Sequence, residues 1–369
     1  MAVLGGIGIA GYFQHPLFGQ LPEGERSTRI EHSPNHANGA FHNQIDTPMK
    51  TTDQSEVSMW METIFGEKGH PRPTGAIPTA KSDLKALDPT QDIVVWLGHS
   101  SFFVQIDGQR ILIDPVFSTN AAPIPGAVRA FDGTSLYSAE DIPQIDALLI
   151  SHDHYDHLDY QTIVALRSKV RQTIVGLGVG AHFEAWGYDS DTVHEADWKE
   201  VFELTPQVQV HVTPARHFSG RTFTRDKSLW AGYALVSPEH RLFFSGDSGY
   251  GPHFAEIGQQ LGPFDWVALD MGQYDPRWAN VHMNPEQAAQ AAEELRTKVL
   301  MPAHVGRFSI SPHDWDDPFK RITLASQGRN YALWTPEIGQ PVYLDGRAQA
   351  FKPWWKGLVQ PREALEPRI

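Results

Sequence analysis

The sequence predicts an α/β fold, a layered sandwich with helices outside two sheets. Three observations point there. Apolar strands joined by tight turns come first, the signature of an antiparallel sheet. Strands and helices then alternate through the middle of the chain. A length of 369 residues, 41% of them hydrophobic, is enough to bury a sizeable core without disulfides, and the chain has no cysteine to make them.

Ala2 to Phe13 is apolar, glycine-rich and uncharged. It is shorter than the roughly 20 residues that span a bilayer, and neither a basic stretch nor a clear cleavage site accompanies it. Two readings stand side by side. It is the tail of an anchor or signal segment, with the protein membrane-associated through it, or a loosely packed arm on a cytoplasmic protein. Gly6-Ile7-Gly8-Ile9-Ala10-Gly11 matches a dinucleotide-binding fingerprint by letter, but no strand precedes it and no βαβ unit surrounds it. Residues 14 to about 90 are rich in Pro, Gly, Asn, His and Ser and show little periodicity. They read as an irregular wrap over the body, with one helix near Ser55 to Phe65 whose Trp60, Met61 and Phe65 either pack on the core, the first expectation, or line a substrate groove. Residues 1–90 are therefore expected to form an N-terminal extension and residues 91–369 the main domain.

From Asp92 the texture changes. Ile93–Leu97, Ser101–Ile106 and Arg110–Ile113 read as strands, the last two joined by the turn signal Asp107-Gly108. Ala147–Ile150 is a short strand, and Asp159 to Ser168 a helix with Asp159 as its N-cap. Further strands are expected at Gln172–Val175, Val208–Val212, Trp230–Val236, Arg241–Phe244, Trp266–Leu269 and Val299–Pro302. Helices are expected at Gly180–Trp186, Pro252–Leu261 and, with Asn284 as N-cap and Pro285 in the first turn, from there to about Thr297.

The chemistry is concentrated at strand ends. His152-Asp153-His154-Tyr155-Asp156-His157 follows the strand ending at Ile150. So many polar ligands would be costly to bury unless a bound metal compensated them. Imidazole and carboxylate suit zinc, iron or manganese, and the lack of thiolate argues against copper(I) and iron–sulfur clusters. His217, Asp247 and His304 each follow a further apolar strand, and such ends gather at one edge of an α/β sheet. Seven side chains exceed the four or so that one ion needs, so they suit two divalent ions with one aspartate between them.

The motif H-x-H-x-D-H, a distant His, an Asp after a strand and a final His together resemble the metallo-β-lactamase superfamily over roughly residues 92 to 345. Trp96-Leu97-Gly98-His99-Ser100-Ser101, Leu112-Ile113-Asp114-Pro115, Gly246-Asp247-Ser248-Gly249-Tyr250 and His282-Met283-Asn284-Pro285-Glu286 are similar to the branch containing N-acylphosphatidylethanolamine-hydrolysing phospholipase D and its bacterial relatives. The resemblance implies a four-layer αββα sandwich, with residues 91–369 as its metallohydrolase domain. It also implies that His152, His154 and His217 hold one metal, that Asp156, His157 and His304 hold the other, and that Asp247 bridges them. Zinc is the first expectation for both, with manganese or iron the alternatives.

Two ions of this kind make water nucleophilic near neutral pH, so a metal-bound hydroxide attacking a phosphodiester is the expected reaction, on a phospholipase D-type lipid. A lactonase or other carboxylic-ester hydrolase acting on a small molecule is the alternative. A di-iron oxidoreductase would need a redox partner, and no flavin domain is visible. A non-enzymatic module would be expected to have lost ligands. Asp114 is a candidate for orienting the attacking water or a ligand imidazole. His282 is a candidate proton donor to the leaving group, or a helix-start residue. Tyr274, Arg277 and Trp278 form a candidate substrate-facing cluster, with Arg277 either a phosphate donor or half of a structural ion pair. His99 is read as structural. The expected partners are a small-molecule or lipid substrate, a membrane surface and a second copy in a homodimer. The net charge of −14 argues against nucleic acid.

Overall fold

Most of the expected strands are buried on both faces, which is why they read as continuous apolar runs, whereas Val208–Val212 alternates, with Gln209 and His211 half-buried. In the computed structural model, which describes residues 11–55, 58 and 69–358, the extension contributes a short helix, α1 (Glu25–Glu31), and a two-stranded ribbon, β1 (His36–Ala37) with β2 (Ala40–Phe41). The body holds two seven-stranded sheets. The first contains β3 (Ile93–Gly98), β4 (Ser101–Ile106), β5 (Gln109–Ile113), β6 (Ala147–Ile150), β7 (Thr173–Gly176) and β8 (Val193–Ala196). The second contains β9 (Val201–Glu203), β10 (Gln209–Thr213), β11 (Gly232–Val236), β12 (Arg241–Phe244), β13 (Trp266–Asp270), β14 (Val299–Ala303) and β15 (Ala332–Leu333). The last strand, β16 (Pro341–Tyr343), returns to the first sheet beside β3.

Each sheet is antiparallel on one side and parallel on the other. β16-β3-β4-β5 pair antiparallel and β5-β6-β7-β8 parallel. Likewise β9-β10-β11-β12 pair antiparallel and β12-β13-β14-β15 parallel. Val94, Trp96, Phe102, Val104, Ile113 and Leu149 point into a core shared with Val210, Tyr233, Leu235 and Phe244 of the second sheet. Their neighbours Val95, Leu97, Phe103, Leu112 and Leu148 face the other way, onto α2 (Tyr160–Leu166) and α3 (Gly180–Ala185). The far face of the second sheet is covered by α4 (His253–Gln260), α5 (Pro285–Glu294) and α6 (Asp317–Ala325). The result is the four-layer αββα sandwich. Among the described residues no helix is long and apolar enough to cross a membrane.

Several local expectations need correction. Asp159 is the N-cap of α2 by position, as expected, but its carboxylate bonds no helix amide and accepts instead from the Ser118 amide at 3.1 Å and the Thr162 hydroxyl at 2.5 Å. The helix expected to reach Thr297 stops at Glu294, because Arg296 adopts a φ of +55°. Its start is as expected: Asn284 and Gln287 cap each other's backbone amides. The helix expected near Ser55 to Phe65 and most of the apolar segment at 2–13 lie outside the described residues. The extension is tied to the body by Arg26, which pairs with Glu184 at 2.5 Å and Glu195 at 2.6 Å.

Candidate metal centre

The carboxyl ends of β3, β5, β6, β10, β12, β13 and β14 open at one edge of the sandwich, and each delivers a polar side chain there. Turning the chain abruptly off so many strands has a conformational cost. His99, Asp114 and His304 all sit at positive φ, at +55°, +42° and +61°. Gly246, at φ +58°, turns β12 toward Asp247. A Cβ there would lie 2.7 Å from the Ala231 carbonyl oxygen and 2.8 Å from the Ser151 Cβ, so only glycine fits.

Two groups of ligand atoms result. In the first, His154 Nδ1 lies 2.8 Å from His152 Nε2 and 3.3 Å from His217 Nε2. Asp247 Oδ2 stands 3.7 Å from each of those two Nε2 atoms. In the second, Asp156 Oδ2 lies 2.9 Å from His99 Nε2, 3.1 Å from His304 Nε2 and 3.6 Å from His157 Nε2. The same Asp247 oxygen reaches this group too, at 3.1 Å from His157 and 3.3 Å from His304. A tetrahedral ion with bonds of roughly 2.0–2.1 Å spaces its ligand atoms about 3.3 Å apart, and these spacings bracket that value.

Hydrogen bonds behind the ligands set their tautomers. Asp114 accepts from the Ser151 amide at 2.7 Å, the Ser151 hydroxyl at 2.6 Å and His157 Nδ1 at 2.8 Å. With its proton spent on Asp114, the Ser151 oxygen is left to accept from His152 Nδ1 at 3.0 Å. His217 Nδ1 donates to the Val281 carbonyl at 2.9 Å. In all three imidazoles Nδ1 is thereby the nitrogen engaged behind the site, which leaves Nε2 as the inward-facing nitrogen that a metal would take. The extension adds one clamp: the Asn43 side chain bonds both the amide and the carbonyl of His217, at 3.0 and 2.8 Å.

Electrostatics agree with this arrangement. Burial, then the neighbouring His157 imidazole, hold His152 neutral, well below the usual histidine range. Burial also depresses His217. Burial opposes ionisation of Asp156 and Asp247, yet the adjacent His157 keeps both carboxylates well below their ordinary range. Burial likewise opposes a proton on His304, but Asp247 and Asp270 outweigh it and push that imidazole up to about 10. Burial opposes a proton on His157 too, yet Asp247 and Asp156 raise it well above the ordinary histidine range, so these carboxylates draw positive charge to the site. Moreover, His157 Nε2 and Asp247 Oδ1 are buried with no hydrogen-bond partner, a costly state that a metal would relieve. The donor set and the orphaned atoms fit a divalent metal.

A cleft of about 430 Å³ adjoins the ligands. Met49, Phe218, Trp278 and Ile310 form apolar walls, Lys50 and Arg225 bring positive charge, and His282 lines it. The Phe218 ring packs 4.5 Å from His154 and 4.6 Å from His217. His282 stacks 5.0 Å from His304, and its Nδ1 lies 2.8 Å from the buried Asp270.

The structure brings His152, His154, Asp156, His157, His217, Asp247 and His304 together at this edge. For Asp114 and Arg277 it agrees with one of the two alternatives, and it corrects the readings of His99 and Tyr274. Asp114 is fully buried behind His152 and His157, outside the cleft, so it positions ligands rather than meeting substrate. His99, read as structural, lies within the second ligand group. Tyr274 bonds Asp317 and lines a neighbouring cleft rather than the one beside the ligands. Arg277 lines both clefts but is held by Asp275, at 2.7 Å through Nε and 2.8 Å through Nη2. Asp270 was missed. It ends β13 as Asp247 and His304 follow β12 and β14, and reading that strand one residue longer would have found it.

Known proteins agree with the geometry. A beta-lactamase superfamily domain model matches residues 109–305. An uncharacterized protein of Mycobacterium tuberculosis is 38% identical over 332 residues, 88% of each chain. N-acyl-phosphatidylethanolamine-hydrolyzing phospholipase D 1 of Caenorhabditis elegans is 29% identical over 266 residues, 63% of this chain and 73% of that protein. A metallo hydrolase of the archaeon Ignicoccus hospitalis shares the fold, with a TM-score of 0.53 at 22% identity over 69% of this chain and 98% of its own. With half of its length matched by that domain and His/Asp clusters at the common edge of its two sheets, the chain belongs to the metallo-β-lactamase superfamily and is a metal-dependent hydrolase.

Proposed function

We propose that the chain binds two zinc ions and hydrolyses a phosphodiester in an amphiphile of the N-acylphosphatidylethanolamine kind. His152, His154 and His217 would hold one ion, Asp156, His157 and His304 the other, and Asp247 both. His99 stands beside the second set. Bound ions of this charge lower the pKa of water and offset the negative charge that builds on phosphoryl oxygens.

The observation that carries the substrate class is the mixed lining of the cleft: apolar Met49, Phe218, Trp278 and Ile310 beside the cations Lys50 and Arg225. An anionic diester joined to acyl chains uses both features, whereas a neutral lactone leaves the cations without a partner. Likeness to the Caenorhabditis elegans phospholipase supports the same reading. Asp270 holds His282 Nδ1, which leaves Nε2 as the ring atom able to give a proton to the departing oxygen.

The test is turnover of bis-p-nitrophenyl phosphate and of N-acylphosphatidylethanolamine against an acyl lactone, with metal content measured alongside. The expected result is two zinc ions per chain, and phosphatidic acid with an N-acylethanolamine from the lipid. Asp247→Ala should abolish turnover and lose at least one ion. Lactone cleavage without diester cleavage would overturn the substrate class. Full activity and metal content in Asp247→Ala would overturn the shared-carboxylate arrangement.

A further inference from the structure

Large apolar side chains are unevenly placed on this surface. Among the described residues nine are exposed, and Tyr12, Phe13, Leu21, Ile124 and Phe223 gather on one face. The contacts are continuous. The Tyr12 and Phe13 rings lie 6.2 Å apart, and Phe13 and Phe223 5.5 Å apart. The Tyr12 hydroxyl donates to the Pro123 carbonyl at 2.5 Å, which sets Ile124 beside it. Phe13 and Leu21 share a hollow with Thr222 and Thr224, the two neighbours of Phe223. Phe223 is 90% exposed and Ile124 64%, an unusual state for side chains of this size.

The patch is built on a firm base. Phe18 lies beneath it, buried, with Tyr12 and Phe13 at 5.5 and 5.2 Å. Arg221, two residues before Phe223, is buried and donates to the carbonyls of Leu17, Asp153 and Leu158. It fastens the loop to both the N-terminal segment and the metal-ligand loop, so Phe223 is held out into solvent by fixed structure.

Three features of the chain bear on what covers this face. Ala2 to Ala10 carries no charge and leads directly into Gly11 and Tyr12 at the patch. The loop that carries Phe223 also carries the exposed Arg225, with Lys227 beyond the half-buried Asp226, a local excess of cations in a chain of net charge −14 that suits phosphate head groups. The same loop continues into the cleft, where Phe218 and Arg225 form part of the wall. Aromatic rings flanked by cations favour the boundary between acyl chains and head groups.

We infer that Tyr12, Phe13, Leu21, Ile124 and Phe223 form a docking face for a phospholipid bilayer surface, with the loop 218–228 linking that face to the metal-side cleft. The inference concerns binding, not turnover, so it stands or falls apart from the phosphodiester reading.

The test is co-sedimentation of the full, metal-loaded chain with vesicles of phosphatidylethanolamine and phosphatidylglycerol. The Phe13→Asp/Phe223→Asp variant should lose at least ~10-fold in partitioning. Its turnover of whichever soluble substrate the chain cleaves should stay within about twofold, since neither ring lies at the cleft. Ile124→Asp, on a separate and well-exposed loop, should weaken partitioning as well and guards against a folding defect in the double variant. Partitioning unchanged in both variants would overturn the inference. So would partitioning lost only on deleting residues 2–10, or a chain that ignores vesicles and dimerises through the patch in sedimentation equilibrium.

Discussion

Replacing Asp114 by asparagine separates a residue that shapes the metal site from one that acts on substrate. The carboxylate takes three short hydrogen bonds, from the Ser151 amide and hydroxyl and from His157 Nδ1. Asparagine has nearly the same shape, but its NH2 group is a donor. If it faces His157, Nδ1 must give up its proton to accept, and the proton moves to Nε2, the atom that has to stay bare for a metal. The alternative flip sets the NH2 group against the Ser151 amide. Either way a buried, charge-assisted bond worth about 1.5–3 kcal/mol is lost. That corresponds to roughly a 10–100-fold loss in metal affinity. Competition between the metal-free protein and a chelator of known affinity measures it. The expected result is weakened binding in Asp114→Asn with turnover recovered at saturating metal. Unchanged affinity with turnover abolished would refute the argument and return Asp114 to the reacting groups.

Other expectations follow from the same geometry. Gly246→Ala should lower both metal content and thermal stability, because its methyl group would meet backbone and the Ser151 side chain at under 3 Å; an active, fully loaded variant would mean that β12 can turn otherwise. A metal at a thousand times its Kd adds about 4 kcal/mol to stability, so chelation followed in a calorimeter should lower Tm by several degrees, reversibly on adding zinc. His282→Ala should slow substrates with poor leaving groups more than p-nitrophenyl esters, which need little help from a proton donor; equal slowing of both would argue against that role. His253 is held at about 3, first by burial and then by Arg216. The folded state thus binds fewer protons than the unfolded one below its ordinary value, and stability should fall as pH drops from about 6.5 toward 3. His253→Gln should flatten that acid limb in urea titrations at pH 7.5 and 5.

Much of the sandwich was legible because its strands are buried on both faces and announce themselves as apolar runs, as in Ala147–Ile150 and Arg241–Phe244. The main candidate ligands were legible for a related reason: a histidine or aspartate just after such a run lands at the sheet edge. Where that logic lapsed, so did the reading. β8, Val-His-Glu-Ala, is mostly half-exposed and looks like a loop, and β9 and β15 are short and partly exposed. His99 lies one residue past Gly98, and what brings it to Asp156 is a turn at positive φ and an isolated bridge to Val305. Asn43 gave no signal, since its value lies in a single long-range clamp on His217. The character of the cleft was equally hidden, because its walls come from four separate segments.

The opposed sheets carry a mechanical implication. His152 and His154 hang from the first sheet, while His217 and Asp247 hang from the second; likewise His99, Asp156 and His157 face His304 across the same gap. An ion lodged in either group therefore acts as a rivet through the two halves of the molecule. Prising the halves apart must first pull that rivet. Damage in the seam just beneath the ions, at Phe102 against Phe244 for instance, should accordingly surface as a faster escape of metal.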